Sequence, residues 1–321
     1  MHVLVTGASG FVGKRLVETL AQNDNFLVTG TVRGNNAAHT DAVKLVNVGD
    51  LSFETDWSEA LSSVDVVVHA AARVHVMNDL ETDPLVAFRK VNVEGTLNLA
   101  RQAVAAGVRR FIFISSIKVN GEGTVPGSPY TAQDVPAPAD PYGVSKMEAE
   151  AGLRDLAIAS GLEVVIIRPV LVYGPGVKAN FLSMMRWLDK GIPLPFGAIS
   201  NRRSLVALDN LVDLIITTVT HPSAANQTFL VSDGEDLSTT QLLHRMATAL
   251  NRKARLLPVP GVLLSIGARL LGKKSLSQRL CGSLQVDIDK TRSLLSWTPP
   301  VSVDHALKIA ASYYMELKNN D

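Results

Sequence analysis

Short, almost wholly apolar segments alternate with amphipathic ones along the first half of this chain. The apolar segments have the length and β-branched content of strands, and they lie at 2–6, 26–33, 43–48, 64–70, 108–116 and 162–169. Segments with helical periodicity separate them, at 11–22, 83–107 and 142–161. Strands that are apolar on both faces have to be covered on both faces, as in parallel sheets flanked by helices. The pattern predicts an α/β fold with a doubly wound, Rossmann-type parallel sheet, and a ligand crevice at the carboxyl ends of its strands.

After Pro169 the alternation is less regular, which indicates a second and smaller domain. Segments 236–251 and 302–318 have helical periodicity, with few strand-like segments between them. We expect a dinucleotide-binding domain of residues 1–170, with a return to the sheet at about 204–232. A mostly helical substrate domain then comprises about 171–203 and 233–321.

A glycine-rich loop joins the first strand to the first helix, in the stretch VTGASGFVGKRL at 5–16. In this context Gly7 allows a tight turn, Gly10 lets the backbone approach a pyrophosphate, and Gly13 permits close packing of helix on strand. The pyrophosphate then lies on the free N–H groups of the helix N-terminus. The alternative is a tight turn that binds nothing, but the strand–turn–helix context favours a dinucleotide site. Its predicted contacts are Gly7, Ser9, Gly10, Phe11 and Val12.

The residue that ends the second strand bears on the choice of cofactor. NAD enzymes usually carry an acid there for the ribose 2′-hydroxyl, whereas this chain has Arg33. An Arg can accept a 2′-phosphate, so NADP(H) is favoured and NAD(H) remains possible; a solvated surface Arg is the alternative. Asp50 and Leu51 follow the third strand near the expected adenine position. Ala70, Ala71 and Ala72 place small residues where the fourth strand meets a cofactor, although both stretches also suit plain turns.

The stretch YGVSK at 142–146 places a tyrosine and a lysine on one face of a helix. A tyrosine phenol has an ordinary pKa of about 10, and a nearby ammonium favours the phenolate. We therefore expect Lys146 to lower the pKa of Tyr142, so that it acts as an acid/base beside a hydride-transfer carbon. Ser115 and Ser116 end the fifth strand at the same rim and can hold the substrate oxygen.

The glycine loop, the SS pair, YxxxK and RPVLVYGPG at 168–176 together resemble the extended short-chain dehydrogenase/reductases, the nucleotide-sugar epimerase/dehydratase group. The resemblance implies that Ser116, Tyr142 and Lys146 are catalytic. It implies that Asn92 supports the lysine through water. It also implies cofactor contacts at Asn92, Ser115, Tyr142, Lys146 and Pro169. Substrate contacts are implied at Ser116, at Asn180 and Phe181 for the base and ribose, and at Arg203 for the diphosphate.

Two departures from the family pattern concern the sugar site. Asn120 replaces an aromatic residue that commonly lines the sugar pocket. Ile117 and Lys118 stand where the sugar 4,6-dehydratases have an acidic pair, which argues against dehydration. We expect oxidoreduction at a ring carbon of a UDP-sugar, and favour a C4 keto-sugar reductase of surface-polysaccharide synthesis. A UDP-glucose or UDP-N-acetylglucosamine 4-epimerase with retained NAD is the alternative, and a non-catalytic nucleotide sensor is the second.

Composition limits the possible partners. Lys and Arg number 31 against 30 Asp and Glu, so nothing suggests a nucleic-acid groove. The histidines show no metal-ligand spacing, and the single cysteine, Cys281, suggests a reducing, cytoplasmic location. The apolar segment 261–272 is too short to span a bilayer, and a packed helix is favoured over a membrane-surface one. A homodimer through helices 83–106 and 142–160 is possible.

Overall fold

The computed structural model describes residues 1–34, 43–74, 83–270, 278 and 280–320. Its main sheet has the strand order β3-β2-β1-β4-β5-β6-β9, and all neighbours run parallel. These strands are β1 (His2–Thr6), β2 (Leu27–Val32), β3 (Val43–Asn47), β4 (Val66–His69), β5 (Arg110–Ile114), β6 (Glu163–Pro169) and β9 (Thr228–Val231). The predicted Rossmann-type fold is confirmed, and its six predicted strands lie close to their predicted bounds. The order reverses between β1 and β4, which places the crevice at the ends of those two strands.

The helices lie on both faces of this sheet and beyond its end. They are α1 (Phe11–Ala21), α2 (Pro84–Arg89), α3 (Thr96–Ala105), α4 (Pro141–Ser160), α5 (Ala179–Asp189), α6 (Leu208–Thr220), α7 (Thr239–Ala249), α8 (Gly261–Leu270), α9 (Asp289–Leu295) and α10 (Val303–Asn320). Asp83 caps α2 by accepting hydrogen bonds from two backbone N–H groups. The predicted helix 83–107 is continuous, but the segment Lys90–Gly95 between α2 and α3 is a π-helix. Such turns are rare and often lie at functional sites.

Alternate residues of each strand enter two separate cores. Val3 and Val5 of β1 face one core together with α1 and α6, whereas Leu4 faces the other with α3 and α4. The same alternation continues through β4, β5 and β6, as expected for strands with a period of two residues. A homodimer through α2, α3 and α4 stays a prediction.

A second, three-stranded sheet follows the first and has the order β10-β8-β7. Its strands are β7 (Leu171–Tyr173), β8 (Arg203–Ala207) and β10 (Asp236–Leu237). Within the predicted return segment 204–232, β9 joins the main sheet, but β8 pairs with β7 and β10 instead. A short apolar segment can be recognised as a strand from its sequence, although the sheet that it joins cannot. A third core, between α5, α7 and α10, lies beside this sheet, and the proposed division into two domains stays a prediction.

Among the described residues, no helix is both long enough and apolar enough to cross a membrane. The cytoplasmic location stays a prediction.

Candidate active site

The glycine loop has the shape that a pyrophosphate requires. Gly7 adopts a φ of +68°, and a Cβ placed on it would lie 3.0 Å from the backbone of Ala71. A Cβ on Gly13 would lie 2.2 Å from the carbonyl oxygen of Gly7, so only glycine permits this contact between helix and loop. Gly10 precedes α1 and provides no side-chain cap, which leaves the N–H groups at the helix N-terminus for a ligand. Ser9 is exposed, and Phe11 and Val12 are half-buried at the start of the helix.

The loop after β4 faces the glycine loop and is held by Asn92. Ala70, Ala71 and Ala72 are half-buried there, and the N–H of Ala71 donates to the Thr6 hydroxyl at 3.2 Å. Asn92 lies in the π-helical segment and is buried. Its amide accepts from the N–H of Arg73 at 2.8 Å and donates to Oγ of Ser145 at 3.0 Å. Asn92 therefore joins the cofactor loop to α4 directly, and its support of Lys146 through water stays a prediction.

Arg33 and Asp50 lie together at the far edge of the cofactor crevice. Nη1 of Arg33 is 4.0 Å from Oδ1 of Asp50, and both side chains are exposed. Leu51 beside them is half-buried, against Gly95 of the π-helical segment. Although β2 ends without an acid, the loop after its parallel neighbour β3 places a carboxylate at the same edge. A basic group and an acidic group therefore lie side by side, and their roles toward a cofactor ribose stay predictions.

Ser116 and Tyr142 are brought together at the carboxyl end of β5. Ser116 follows β5 and caps a short 3-10 turn, Ile117–Val119. Tyr142 is the second residue of α4, whose N-terminus is capped by Asp140. The Ser116 side chain acts to lower the pKa of Tyr142. Burial and the nearby Asp140 carboxylate outweigh that effect and raise the pKa of Tyr142 to about 12. The expected lowering of this pKa is not found.

Lys146 lies one helical turn after Tyr142 and is buried. Its Nζ donates to the carbonyl of Ile114 at 2.9 Å, is 4.4 Å from the ring centroid of Phe113, and is 6.0 Å from that of Tyr142. Burial lowers the pKa of Lys146 to about 7, although Glu150 opposes the change. The Lys146 ammonium is directed at the carbonyl that ends β5 and not at the phenol oxygen. This direction explains why the pKa of Tyr142 is not lowered.

A buried ion pair beneath the site was not predicted. Glu150 and Arg168 are both almost inaccessible, and Nη2 of Arg168 donates to Glu150 at 2.5 Å. Ser115 donates its hydroxyl to Glu150 at 2.6 Å, and its contact with the cofactor stays a prediction. Asn120 accepts from Arg168 at 2.9 Å and donates to the carbonyl of Thr131, so it is a buried linking residue here. Glu150 could have been suggested from sequence, because it lies one turn after Lys146 on the same helix.

The predicted substrate residues lie on the second sheet and α5. Asn180 is exposed at the start of α5. Phe181 is buried and stacks on Tyr173 with ring centroids 5.3 Å apart, so its side chain serves the third core. Arg203 begins β8, is half-buried, and donates from Nη1 to the carbonyl of Gly282 at 3.1 Å. Pro169, predicted to contact the cofactor, ends β6 and is buried. The substrate roles of Asn180, Phe181 and Arg203 stay predictions.

Lys118 stands two residues after Ser116, where the sugar dehydratases carry an acid. Its Nζ donates to Glu122 at 2.9 Å and also to Asp140, which caps α4 through the N–H of Gly143. The side chain is one-third exposed. The Lys118 ammonium therefore occupies this position, and its bond to Asp140 links it to α4, the helix that carries Tyr142.

A model of the NAD dependent epimerase/dehydratase family matches residues 3–232 of this sequence. The chain belongs to this epimerase/dehydratase family. The matched range includes the glycine loop, Ser116, Tyr142 and Lys146. Membership confirms the predicted enzyme class, an NAD(P)-dependent nucleotide-sugar enzyme of the extended short-chain dehydrogenase/reductase type.

Individual members of the epimerase/dehydratase family are similar over the whole chain. The UDP-glucose 4-epimerase of Vibrio cholerae is 51% identical over 318 residues, which cover 99% of this chain and 96% of that protein. The N-acetyl-alpha-D-glucosaminyl-diphospho-ditrans,octacis-undecaprenol 4-epimerase of Escherichia coli O157:H7 is 28% identical, over 100% of this chain and 97% of that protein. In fold, the chain is similar to the UDP-glucuronic acid 4-epimerase of Bacillus cereus in complex with NAD. That structure has a TM-score of 0.78 at 22% identity, covering 99% of both chains.

Burial of the Lys146 ammonium leads to a prediction about stability. The pKa is about 7 in the folded protein and 10.5 ordinarily, so the cost of burying the charge is complete below pH 7 and disappears towards pH 10.5. We expect Lys146→Met to raise the free energy of unfolding by about 2–4 kcal/mol at pH 6–7, with the gain shrinking as pH rises. Urea unfolding at several pH values measures this difference. The exposed Lys44→Met is the control, expected to change stability by less than about 0.5 kcal/mol. A Lys146→Met protein no more stable than wild type at pH 6 would contradict a desolvated ammonium.

Proposed function

We propose that this enzyme interconverts the C4 epimers of a UDP-linked hexose, with UDP-glucose and UDP-galactose as the first pair to test. The observation that carries the proposal is the 51% identity, over almost the whole chain, to a UDP-glucose 4-epimerase. The second relative is also named as a 4-epimerase. These findings favour the epimerase alternative over the 4-keto-sugar reductase that the sequence analysis preferred. Both relatives are named as enzymes, which gives no support to a nucleotide sensor.

NAD is the cofactor that we propose, supported by the family's NAD dependence and by the fit of the glycine loop to a pyrophosphate. When bound, NAD would supply an acceptor for the C4 hydride and a donor that returns it to the opposite face of the 4-keto sugar. The protein's own residues then have to move one proton. The Tyr142 oxygen removes it from the 4-hydroxyl and later restores it, so the step has no net consumption of protons.

The roles of Ser116 and Lys146 follow from their positions around Tyr142. The Ser116 side chain acts to lower the pKa of Tyr142, and its hydroxyl can hold the sugar 4-oxygen at the end of β5. Tyr142 with a pKa of about 12 is almost wholly protonated near neutrality, so positive charge has to favour the phenolate during the reaction. The Lys146 ammonium is the charge that the chain provides within 6.0 Å of the ring. Its pKa of about 7 makes the supply of that charge sensitive to pH near neutrality.

The direct experiment is incubation of the purified enzyme with UDP-glucose and no added cofactor. We expect UDP-galactose to appear, measured by anion-exchange chromatography or proton NMR. NAD released from the denatured protein should be close to stoichiometric with the chain. A protein that carries no NAD and converts no UDP-hexose, with or without added NAD, would refute the proposal.

A 4-keto-sugar reductase is the second candidate, and Arg33 is the observation that favours it. A reductase oxidises NADPH in proportion to the keto sugar supplied, whereas an epimerase leaves the absorbance of reduced nicotinamide unchanged over full turnover. Stoichiometric NADPH oxidation with a UDP-4-keto sugar would establish the reductase.

The charges of Arg33 and Asp50 lead to a prediction that distinguishes NADP(H) binding from NAD(H) binding. We expect Arg33→Ala to weaken NADP(H) about fivefold to tenfold, because an exposed charge-assisted hydrogen bond to a 2′-phosphate is lost. NAD(H) affinity should stay within about twofold, since its ribose has no phosphate there. Asp50→Asn is the matched variant, and it should strengthen NADP(H) by removing a neighbouring carboxylate. Calorimetric titration of each cofactor measures both changes, and equal losses for NAD(H) and NADP(H) in Arg33→Ala would contradict this role.

A further inference from the structure

Exposed apolar side chains lie on α5, on the segment that follows it, before α8 and on α8 itself. They are six large side chains whose exposed fractions lie between 37% and 71%: Trp187, Ile192, Leu257, Val262, Leu263 and Ile266. We call these six residues the apolar patch. Val262, Leu263 and Ile266 lie on one side of α8, at the i, i+1 and i+4 positions of a single helix face. At the start of the helix, a Cβ placed on Gly261 would lie 3.4 Å from the side chain of the buried Ile199. The preference for a packed helix over a membrane-surface one stays a prediction.

Backbone hydrogen bonds hold the separate parts of the apolar patch together. The N–H of Ile192 donates to the carbonyl of Trp187 at 3.1 Å. Two residues further on, the carbonyl of Leu194 accepts a hydrogen bond at 2.8 Å from the N–H of Leu257. The next segment continues this pairing, since Ala198 forms a bridge with Pro260 immediately before α8. The end of α5, the segment before α8 and the start of the helix are therefore neighbours, joined by backbone pairing.

Basic residues predominate in the sequence around the apolar patch. From residue 237 to residue 286 the sequence contains eight of the chain's 31 Lys and Arg and none of its 30 Asp and Glu. Four exposed basic residues are within four positions of a patch residue in the described part of the chain, namely Arg186, Lys190, Lys253 and Arg255. The carboxylate nearest in sequence, Asp189, is covered by Arg252 and Lys318. The chain as a whole is almost neutral, so this concentration of positive charge is local.

We propose that the apolar patch and its basic border bind the surface of an anionic lipid bilayer. Aliphatic side chains on one face of a short helix can enter the boundary between headgroups and acyl chains while the helix lies flat. An indole at the edge of such a face suits the headgroup level, as Trp187 does here. Basic side chains around it are attracted by anionic headgroups, each contributing about fivefold in affinity. A continuous layer of phosphates matches a border rich in exposed basic residues better than a protein surface of mixed charge does.

Flotation of the full-length enzyme with vesicles tests this surface. The vesicles are phosphatidylcholine alone, or phosphatidylcholine mixed with phosphatidylglycerol, both at low ionic strength. We expect binding to the mixed vesicles and little to the neutral ones, with a loss on raising salt because the headgroup attraction is screened. Leu263→Ser and the pair Lys253→Glu with Arg255→Glu should each lower the partition coefficient about tenfold or more.

Matched variants separate this proposal from loss of structure. Leu27→Ser removes a leucine of nearly the same exposure, 62% against 60% for Leu263, from the start of β2. Lys308→Glu reverses an exposed charge on α10. Both controls should bind vesicles like the wild type, and all variants should keep the wild-type circular dichroism spectrum and melting temperature. Absence of wild-type binding to mixed vesicles, or equal losses in the controls, would overturn the proposal. A changed oligomeric state in Leu263→Ser without lipid binding would assign the patch to a second copy, and a raised KM for the nucleotide sugar would assign it to the substrate site.

Discussion

Tyr142→Phe is expected to reduce turnover by about 10²–10⁴-fold while leaving cofactor affinity nearly unchanged. The substitution removes only the hydroxyl, and the ring keeps its edge-on contact with Phe88, 5.9 Å between centroids. Without that oxygen, the proposed acceptor for the proton of the sugar hydroxyl is lost. Steady-state turnover, together with calorimetric titration of NAD, measures the two effects separately.

The control for this substitution is Tyr314→Phe. The Tyr314 hydroxyl donates to Asp189 at 3.2 Å, on the side of the molecule formed by α5 and α10. Its loss removes one hydrogen bond, which contributes about 1 kcal/mol to the free energy of unfolding. Turnover should stay within about twofold of wild type. Turnover of Tyr142→Phe within a few-fold of wild type would remove Tyr142 from the mechanism.

Arg168→Met is expected to produce the largest loss of stability among the substitutions considered, about 3 kcal/mol or more. Arg168 holds both oxygens of Glu150, at 2.8 and 2.5 Å, in a place that water does not reach. Removing the guanidinium leaves a buried carboxylate whose remaining ion-pair contact among the described residues is with Arg154, at 3.0 Å. The free energy of unfolding, from urea titration near neutral pH, measures this loss.

Two further variants show whether the buried charge is the cause. Arg154→Met removes a half-exposed partner of the same carboxylate and should cost about 1 kcal/mol or less. The double variant Glu150→Met with Arg168→Met removes both charges and should recover a large part of the loss, because well-packed apolar residues can replace a buried ion pair. If the double variant is as unstable as Arg168→Met, the loss comes from packing or from the bond to Asn120 and not from an unpaired charge.

The strands and motifs of the predicted dinucleotide-binding domain could largely be predicted from the sequence, because they depend on local sequence patterns. The apolar segments identified six strands of the main sheet, and the glycines at 7 and 13 are required by contacts that the structure shows at 3.0 and 2.2 Å. YGVSK placed Tyr142 and Lys146 on one helix face, since residues four apart share a face of any α-helix. These features depend on residues close together in the chain, where sequence spacing alone sets the direction in which each side chain points.

The chemistry of the site depended on contacts between distant segments. Lys146 was expected to lower the pKa of Tyr142, but the fold directs its ammonium to the carbonyl of Ile114. Asp50 lies 17 positions from Arg33, and only the parallel pairing of β2 with β3 brings their side chains to one edge. Ser115 turns its hydroxyl to Glu150, and the side chain of Phe181 enters the third core.

Sequence thus determined the main sheet, the glycine loop and the spacing of the Tyr–Lys pair, which follow from local periodicity and steric limits. The tertiary structure decided the direction of the Lys146 ammonium, the pairing of Arg33 with Asp50 and the exposure of Val262, Leu263 and Ile266. The reason is physical: burial and Coulomb interaction depend on distance in space, and residues far apart in the chain set both.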